Sequence, residues 1–223
     1  MVTSLASAAR DALASLYRLG VPNYYGMQRF GRDASNVELG RLLVRGGVPG
    51  FLSAAKAAGT PDPRTRDRRF RNLMVNAFQA ELFNRVLSAR MPRIGTLLAG
   101  DLAQLHRNGA VFAVADAEAA AREQPRCAAF ELSPSGPLFG PKLPFPEGEP
   151  GEMERATLAA SGAALEDFGR PEAERQPGAR RPLRVPLIEK PEVEEDAEGV
   201  VLKFALPSGC YATVVLREML GDG

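Results

Sequence analysis

One long amphipathic segment, residues 70–91, most constrains what this chain can fold into. Its apolar side chains recur at the spacing of an α-helix, and Pro92, which cannot continue a helix, follows at once. The pattern predicts a core helix. Gln79, Glu81 and Asn84 lie on the same segment, and polar groups at a helix edge are more often packing or capping partners than catalysts.

Two shorter helices are expected before this segment. Residues 4–19 carry leucine and alanine at helical spacing and are followed by Gly20 and Pro22, which end a helix. Residues 35–38, Ser-Asn-Val-Glu, have the composition of a capping box. They predict a second helix that ends at the glycine pair 46–47.

Beyond residue 96 the pattern changes from helical spacing to short apolar stretches between turn residues. Residues 96–98 and 110–114, on either side of Asn108-Gly109, predict strands and a tight turn. Residues 201–206 alternate as in a strand with one buried face, and residues 212–220 predict a helix that docks on the sheet. We therefore expect an α/β (α+β) fold.

Two segments rich in proline separate these elements. Residues 133–146 contain so much Pro and Gly that we expect an ordered loop instead of regular structure. Residues 147–161 have a helical pattern. Residues 170–184 are rich in Pro and charge and predict a boundary between structural units.

The composition is that of an ordinary globular protein, with 45% hydrophobic and 25% charged residues. The sequence has no long uncharged apolar segment, and its first twenty residues lack the pattern of a signal peptide, so we expect a cytoplasmic protein without a membrane segment. Cys127 and Cys210 lie far apart and are expected to be reduced. His106, the single histidine, has no cluster of ligands around it, which predicts no metal site and a surface or hydrogen-bonded imidazole.

The net charge of +1 hides a division between the two halves of the chain. Residues 1–110 have an excess of nine positive charges, and residues 111–223 have an excess of eight negative charges. The first half is therefore the candidate face for a polyanion, although a charge run is more often a solvated helix and linker. The candidate phosphate contacts are Arg29, Arg32, Arg41, Arg45, Lys56, Arg64, Arg66, Arg68, Arg69 and Arg71.

An aromatic run between glycines, residues 20–32, fits neither a strand nor a helix pattern. Its rings are Tyr24, Tyr25 and Phe30, and its planar donors are Asn23, Gln28 and Arg29. Stacking surfaces interleaved with such donors suit an unstacked nucleobase and the phosphates beside it. The alternative is a loop of tightly packed aromatic rings with one capping asparagine.

The same run, GVPNYYGMQRFGRD, resembles the NYFGxQRFG motif of the TruD-type tRNA pseudouridine synthases. Tyr25 stands where that family often carries Phe. Four further segments resemble the family in the family's order, and they are residues 76–85, 98–101, 133–140 and 206–218. Five ordered matches over nearly the whole chain are highly specific, whereas NYYG alone would be weak.

The resemblance implies isomerisation of a uridine, at position 13 in the D arm of tRNA, to pseudouridine without a cofactor or metal. It also implies a catalytic domain in two pieces, residues 1–47 and 178–223, interrupted by a TruD-type insertion domain at residues 48–177. Lys142 of the insertion would face RNA. The implied partner is tRNA.

The resemblance also implies roles for the aromatic run. Tyr25 would stack on the flipped base, and Asn23 would hold the loop or bind the edge of the base. Gln28 and Arg29 would order the loop or contact phosphates. The full set of candidate base- or RNA-binding residues is Asn23, Tyr25, Gln28, Arg29, Phe30 and Arg32.

The nucleophilic aspartate of the family lies in a Gly-x-Lys-Asp-x-x-Ala motif before NYFG, and these 223 residues contain no Lys-Asp pair. Asp62, in Ala-Gly-Thr-Pro-Asp, has Pro61 in place of Lys, follows the aromatic run and is better explained as part of a solvated linker. We therefore expect no catalytic residue in this chain, which would be the C-terminal part of such an enzyme and inactive alone.

This expectation leaves three possibilities open. The sequence could be truncated, it could be one half of a split enzyme whose separate N-terminal fragment carries the aspartate, or it could be a non-catalytic RNA-binding module. In the first two cases, strands beside residues 201–206 would be missing. Unpaired edges and poor stability or self-association of the isolated chain would follow.

Overall fold

The computed structural model of this chain describes residues 2–57, 59, 67–195 and 199–220. Helices and strands both occur along its length. The α-helices are α1 (Val2–Leu19), α2 (Ser35–Val44), α3 (Val48–Ala57), α4 (Arg68–Arg90), α5 (Ala117–Ala128), α6 (Gly148–Ser161) and α7 (Ala212–Leu220). The strands are β1 (Val21–Pro22), β2 (Leu102–Leu105), β3 (Val111–Ala113), β4 (Leu132–Leu138), β5 (Ala179–Pro182), β6 (Arg184–Val185), β7 (Glu192–Glu195) and β8 (Val200–Lys203). The expected mixed class is confirmed.

The strands form a four-stranded antiparallel sheet and two ribbons of two strands. The sheet has the order β3–β2–β4–β5, while β1 pairs with β6 and β7 with β8. In the first ribbon Val21 lies opposite Val185. This pairing brings the start of the aromatic run next to a segment that is distant in sequence.

Helix α4 lies at the centre of the core, as its pattern predicts. It packs against α2, β4 and α6. The Asp67 side chain caps the helix by accepting from the N–H of Arg69, and Pro92 lies in the 3-10 turn Met91–Arg93 that follows it. Its buried side chains are Met74, Val75, Ala77, Phe78, Gln79, Ala80, Leu82, Phe83, Val86, Leu87 and Arg90. Helix α4 therefore contacts both the aromatic run and the sheet.

The start of α2 differs from the predicted capping box. Ser35 is already the first helical residue, and the cap position is Ala34, which makes no side-chain hydrogen bond. Asp33 and Ala34 both have a left-handed backbone, with φ of 54° and 57°. A capping box needs an extended residue before the helix, so the box cannot form, and Glu38 instead pairs with Arg41 at 2.7 Å.

The prediction of a loop at residues 133–146 is wrong for the first half of that segment. Residues 132–138 form β4, an inner strand of the sheet with its side chains buried. Gly136 makes this possible, because a Cβ there would lie 2.7 Å from Leu183 and 3.0 Å from Phe83. The carbonyl of Pro134 accepts from the N–H of Leu183 at 2.8 Å, so a residue without a donor still contributes to the ladder.

The remaining sequence predictions are confirmed in part. Residues 96–98 form no strand and lie between two turns, whereas the stretch at 110–114 contains β3, whose partner β2 was not predicted. Gly109 lies in the expected turn, with φ of 73°. The segment at 170–184 contains one 3-10 turn, Pro171–Ala173, and then β5, which pairs with β4.

The tail has the predicted order of strand and helix. The strand β8 is shorter than the expected 201–206 and pairs with β7, and the helix is α7. Within the described residues, each ribbon has two strands and no third neighbour.

The histidine and the cysteines have the environments that the sequence predicts. The His106 Nε2 lies 2.9 Å from the Ser133 hydroxyl, and burial, followed by the charge of Arg184, lowers the pKa of His106. Cys127 and Cys210 are free thiols. No helix among the described residues has the length and apolarity that a bilayer crossing requires.

Candidate functional site

The aromatic run forms one wall of an open cleft of about 780 Å³. The other walls come from the start of α2, from one face of α4 and from the end of α7. The lining residues are Tyr24, Tyr25, Met27, Phe30, Asp33, Ala34, Val37, Glu38, Glu81, Asn84, Arg85, Ser88, Arg217 and Glu218. The cleft therefore offers rings on one side and charged side chains on its rim.

A side chain of α4 fixes the backbone at Tyr25. The Tyr25 N–H donates to Asn84 Oδ1 at 2.9 Å, and Asn84 Nδ2 donates back to the Tyr25 carbonyl at 3.0 Å. Both backbone groups of one loop residue are thus satisfied by one amide of the core helix. Such a reciprocal pair holds the position of the Tyr25 ring relative to the cleft.

The Tyr25 ring is half-buried and surrounded by aromatic and cationic groups. Phe83 and Tyr211 contact it edge to face, with centroid separations of 5.6 and 6.2 Å. The guanidinium carbon of Arg181 lies 4.3 Å from the ring centroid, and that of Arg29 lies 5.7 Å away. The Tyr25 hydroxyl has no hydrogen-bond partner in the described part of the chain.

Asn23 is buried, with 3% of its surface exposed. Its Nδ2 donates to the carbonyl of Pro182 at 2.8 Å, and its Oδ1 accepts from Arg181 at 2.5 Å. The Cys210 thiol donates to the same Asn23 oxygen at 3.5 Å. Burial raises the pKa of this thiol, so it keeps the proton that it donates. Asn23 therefore joins the loop to β5 and to the tail.

The other candidate residues of the run lie in different environments. Phe30 is buried against Ala77 and Ala80 of α4. Gln28 is exposed to solvent, and Arg29 is partly exposed. The side chain of Arg32 lies outside what the structure describes. Of the six candidates, the structure brings Asn23, Tyr25 and Arg29 together, with Phe30 supporting the wall of the cleft.

Comparison with known proteins identifies the family. The family model "tRNA pseudouridine synthase D (TruD)" matches residues 63–219, well over half of the chain. The chain belongs to the TruD family.

Individual members of the TruD family align with nearly all of this chain. It is 37% identical to the tRNA pseudouridine synthase D of Geobacter metallireducens, over 100% of this chain and 66% of that protein. It is 41% identical to the protein of the same name from Anaeromyxobacter sp. strain Fw109-5, over 96% of this chain and 58% of that protein. The chain thus spans less than two thirds of the length of these relatives.

A crystal structure of a TruD protein from Methanosarcina mazei has the same fold. It superposes with a TM-score of 0.80 at 21% sequence identity, over 99% of this chain and 65% of that one. This likeness shows that the two chains share a fold.

In this TruD-family chain, sequence patterns missed two groups that meet at the loop. Arg181 lies in the Pro- and charge-rich segment that was interpreted as a boundary, and no local signal distinguishes it from its neighbours. Tyr211 lies in the family-like tail segment, which was a usable signal. Asn84 was noticed, but only as a packing or capping partner, which matches its hydrogen bonds to the Tyr25 backbone.

Tyr24, on the opposite side of the loop from Asn23, has its own set of contacts. Its hydroxyl lies 3.0 Å from the Ser88 hydroxyl, and the guanidinium of Arg217 lies 5.0 Å from its ring centroid. Burial raises the pKa of Tyr24, so the hydroxyl stays protonated. Tyr24 is fixed between α4 and α7 and serves as a wall of the cleft.

Several of the arginines expected to contact phosphates are paired within the TruD-family chain. Arg41 pairs with Glu38, and this hydrogen bond lowers the pKa of Glu38. Arg68 and Arg71 both contact Glu174, at 3.0 and 2.8 Å. These arginines are thus partly neutralised.

The rest of the predicted basic set is only partly described. Lys56 and Arg69 are exposed, as is Lys142. Asp62, Arg64 and Arg66 fall outside the described residues.

Proposed function

We propose that this chain supplies the base-binding part of a tRNA pseudouridine synthase that converts a uridine at position 13 of the D arm to pseudouridine. The observation that carries the proposal is the Tyr25 ring, held at the wall of a cleft by the Asn84 amide. Membership of the TruD family supports the reaction and tRNA as the substrate. The names of the relatives agree with both.

Each candidate residue has a proposed role in binding the flipped nucleotide. Tyr25 stacks on the base, which offsets part of the cost of unstacking by about 1–3 kcal/mol. Asn23 holds the loop against β5, since its amide is buried and hydrogen-bonded to the protein. Phe30 supports the wall of the cleft from α4. Gln28, Arg29 and Arg32 contact the RNA backbone.

The nucleophile is proposed to come from outside this sequence. Within it, no aspartate follows a lysine, and the Lys-Asp motif of the family is therefore lacking. We propose that a segment carrying that motif completes the site, either in the same polypeptide or as a separate chain. Breaking the glycosidic bond, turning the base and forming the new carbon–carbon bond would then need both parts.

A second candidate function is a non-catalytic RNA-binding module. It rests on the same cleft at Tyr25, because a base-binding cleft can bind RNA without isomerising it. The two candidates share the cleft and differ in whether turnover can be restored.

The test uses this chain alone and this chain fused behind the N-terminal third of the Geobacter metallireducens relative. The chain alone is expected to bind a tRNA transcript in a salt-sensitive way and to release no tritium from uridine labelled at carbon 5. The fusion is expected to release tritium, and Tyr25→Ala is expected to reduce that release far more than tRNA affinity. Tyr17→Ala, on an exposed part of α1, is the matched control.

Three outcomes would contradict parts of the proposal. Turnover by the chain alone would show that it carries its own nucleophile. A fusion that binds tRNA but stays inactive would favour the binding module, and equal losses of activity and affinity in Tyr25→Ala would make Tyr25 a residue of the fold only.

A further inference from the structure

Two arginines from distant parts of the chain contact the ring of Tyr25. Arg29 belongs to the aromatic run, and Arg181 belongs to β5. Their guanidinium carbons lie 5.7 and 4.3 Å from the ring centroid. Two cations beside one ring repel each other, and an anion between or next to them offsets this repulsion.

Neither arginine has a carboxylate partner among the described residues. The neighbouring Arg180 shows the usual solution for a buried cation, because it forms a two-pronged ion pair with Glu154 at 2.7 and 2.8 Å. Arg90 pairs with Asp101 through one terminal nitrogen, at 2.5 Å. Arg181 instead donates from one terminal nitrogen to Asn23 and to the carbonyl of Gly209 at 3.1 Å, which leaves its charge uncompensated.

The donors that remain show where a ligand could bind. The Nε atoms of Arg29 and Arg181 are buried without an acceptor in the described chain. The Nη1 of Arg181 and both terminal nitrogens of Arg29 also have no partner there, but they are not buried. Accessible, unpaired guanidinium ends are suited to the oxygens of a phosphate.

We propose that Arg29 and Arg181 together bind one phosphodiester of the RNA strand, next to the nucleotide whose base stacks on Tyr25. This inference rests on the proposed function. The guanidinium carbons of Arg29 and Arg181 lie 5.7 and 4.3 Å from the centroid of the Tyr25 ring, so a phosphate that both bind lies next to the nucleotide that contacts this ring. Arg181 also holds Asn23, so the phosphate and the base-binding loop share one contact.

The experiment is a double-substitution cycle between protein and RNA, with this chain and a D-arm RNA hairpin. A methylphosphonate replaces the phosphate on the 5′ or the 3′ side of the target uridine and removes one negative charge. The protein variants are Arg29→Gln and Arg181→Lys. The native Arg29 side chain makes no hydrogen bond to the described protein, and Arg181→Lys keeps the positive charge. The control is Arg155→Gln, an exposed arginine over the Phe145 ring, with its guanidinium carbon 5.3 Å from the centroid.

One of the two methylphosphonates is expected to weaken binding about tenfold and to reduce the salt slope by about 0.7. Arg29→Gln is expected to weaken the binding of normal RNA and to reduce its salt slope by the same amounts. It should cause no further loss of affinity for that modified RNA. Arg181→Lys is expected to bind normal RNA less tightly than the unchanged protein does. The methylphosphonate is not expected to restore that affinity. Arg155→Gln should behave as the unchanged protein.

Two results overturn the inference, and they can be told apart. Losses that add independently at both linkages, while Tyr25→Ala still removes most of the tritium release by the fusion, show that the arginines bind another anion, such as a carboxylate of the completing segment. A fusion that keeps full tritium release with Tyr25→Ala overturns the inference and the proposed function together.

Discussion

Single residues decide how the aromatic loop is presented, and Asn84 is the clearest case. Its one amide satisfies both the N–H and the carbonyl of Tyr25, so the ring position depends on a side chain 59 positions away. A polar residue on a core helix is often no more than a packing partner. Here its partner is the backbone of the loop that lines the candidate site.

Replacing Asn84 with alanine is expected to lower the free energy of unfolding by about 1–3 kcal/mol, because two partly buried backbone groups lose their partners. Urea unfolding followed by circular dichroism measures the change. Glu81→Ala on the same helix is the control, since it removes an exposed pair with Arg85 and should cost less than about 1 kcal/mol. Equal losses in the two variants would contradict the role of Asn84.

The single histidine provides a pH prediction at the same scale. Because burial and Arg184 lower the pKa of His106 in the folded state, the unfolded chain binds the proton more readily. Its contribution to stability is therefore present above the unfolded pKa of about 6.5 and is lost as the pH falls below that value. Between pH 7.5 and 5.5, the unchanged protein should lose more stability than His106→Asn.

An NMR titration of the one imidazole checks the direction of the shift independently. A folded-state pKa at or above that of a histidine peptide would refute the prediction, whatever the unfolding curves show.

Among the elements, β4 explains why a proline-rich segment can form an inner strand. Gly136 lets the strand lie close to α4, and Pro134 uses its carbonyl where it has no N–H. The strand pairs with β2 on one side and β5 on the other. Its position fixes β5, and with it the place of Arg181 beside Tyr25.

Gly136→Ala is expected to destabilise the protein by about 1–3 kcal/mol, because the new methyl group would lie 2.7 Å from Leu183 and 3.0 Å from Phe83. Thermal unfolding gives the change. Gly50→Ala in α3 is the matched control, with its nearest neighbour at 3.6 Å. There, alanine should stabilise the helix by up to about 1 kcal/mol, so a loss at Gly50 or none at Gly136 would contradict the packing argument.

In the whole molecule, Arg184 joins three parts of the chain. Its guanidinium donates to the carbonyl of Leu19 at the end of α1 and to that of Cys127 near the end of α5, at 2.5 and 2.7 Å. The partial negative charge at two helix ends offsets the buried cation. The ring of Phe130 lies against the same group, 4.5 Å from its centroid.

Arg184→Met is expected to destabilise the protein by about 3 kcal/mol or more, since two hydrogen bonds from a charged donor are lost and their acceptors stay buried. Unfolding monitored in the far and near ultraviolet measures the loss. Arg93→Met is the control, because its ion pair with Glu149 is largely exposed and should matter little. Stability unchanged in Arg184→Met would show that the three parts are held by their apolar contacts alone.

Local patterns predicted those features whose cause lies within a few residues. The core helix, the helix before Gly20, the turn at Gly109 and the last helix follow from spacing, glycine and proline. The capping box failed because the left-handed backbone at Asp33 and Ala34 comes from the path of the loop, not from the residues 35–38. The strand β4 was missed because the neighbours that make Gly136 necessary are distant in sequence.

The sequence by itself determined the family and the aromatic run, because both are written in contiguous residues. Only the tertiary structure decided which groups surround Tyr25, since Asn84, Arg181 and Tyr211 reach it from three other elements. The physical reason is that hydrogen bonds and ring contacts act over a few ångströms of space. No periodicity along the chain records which distant residues the fold brings within that reach.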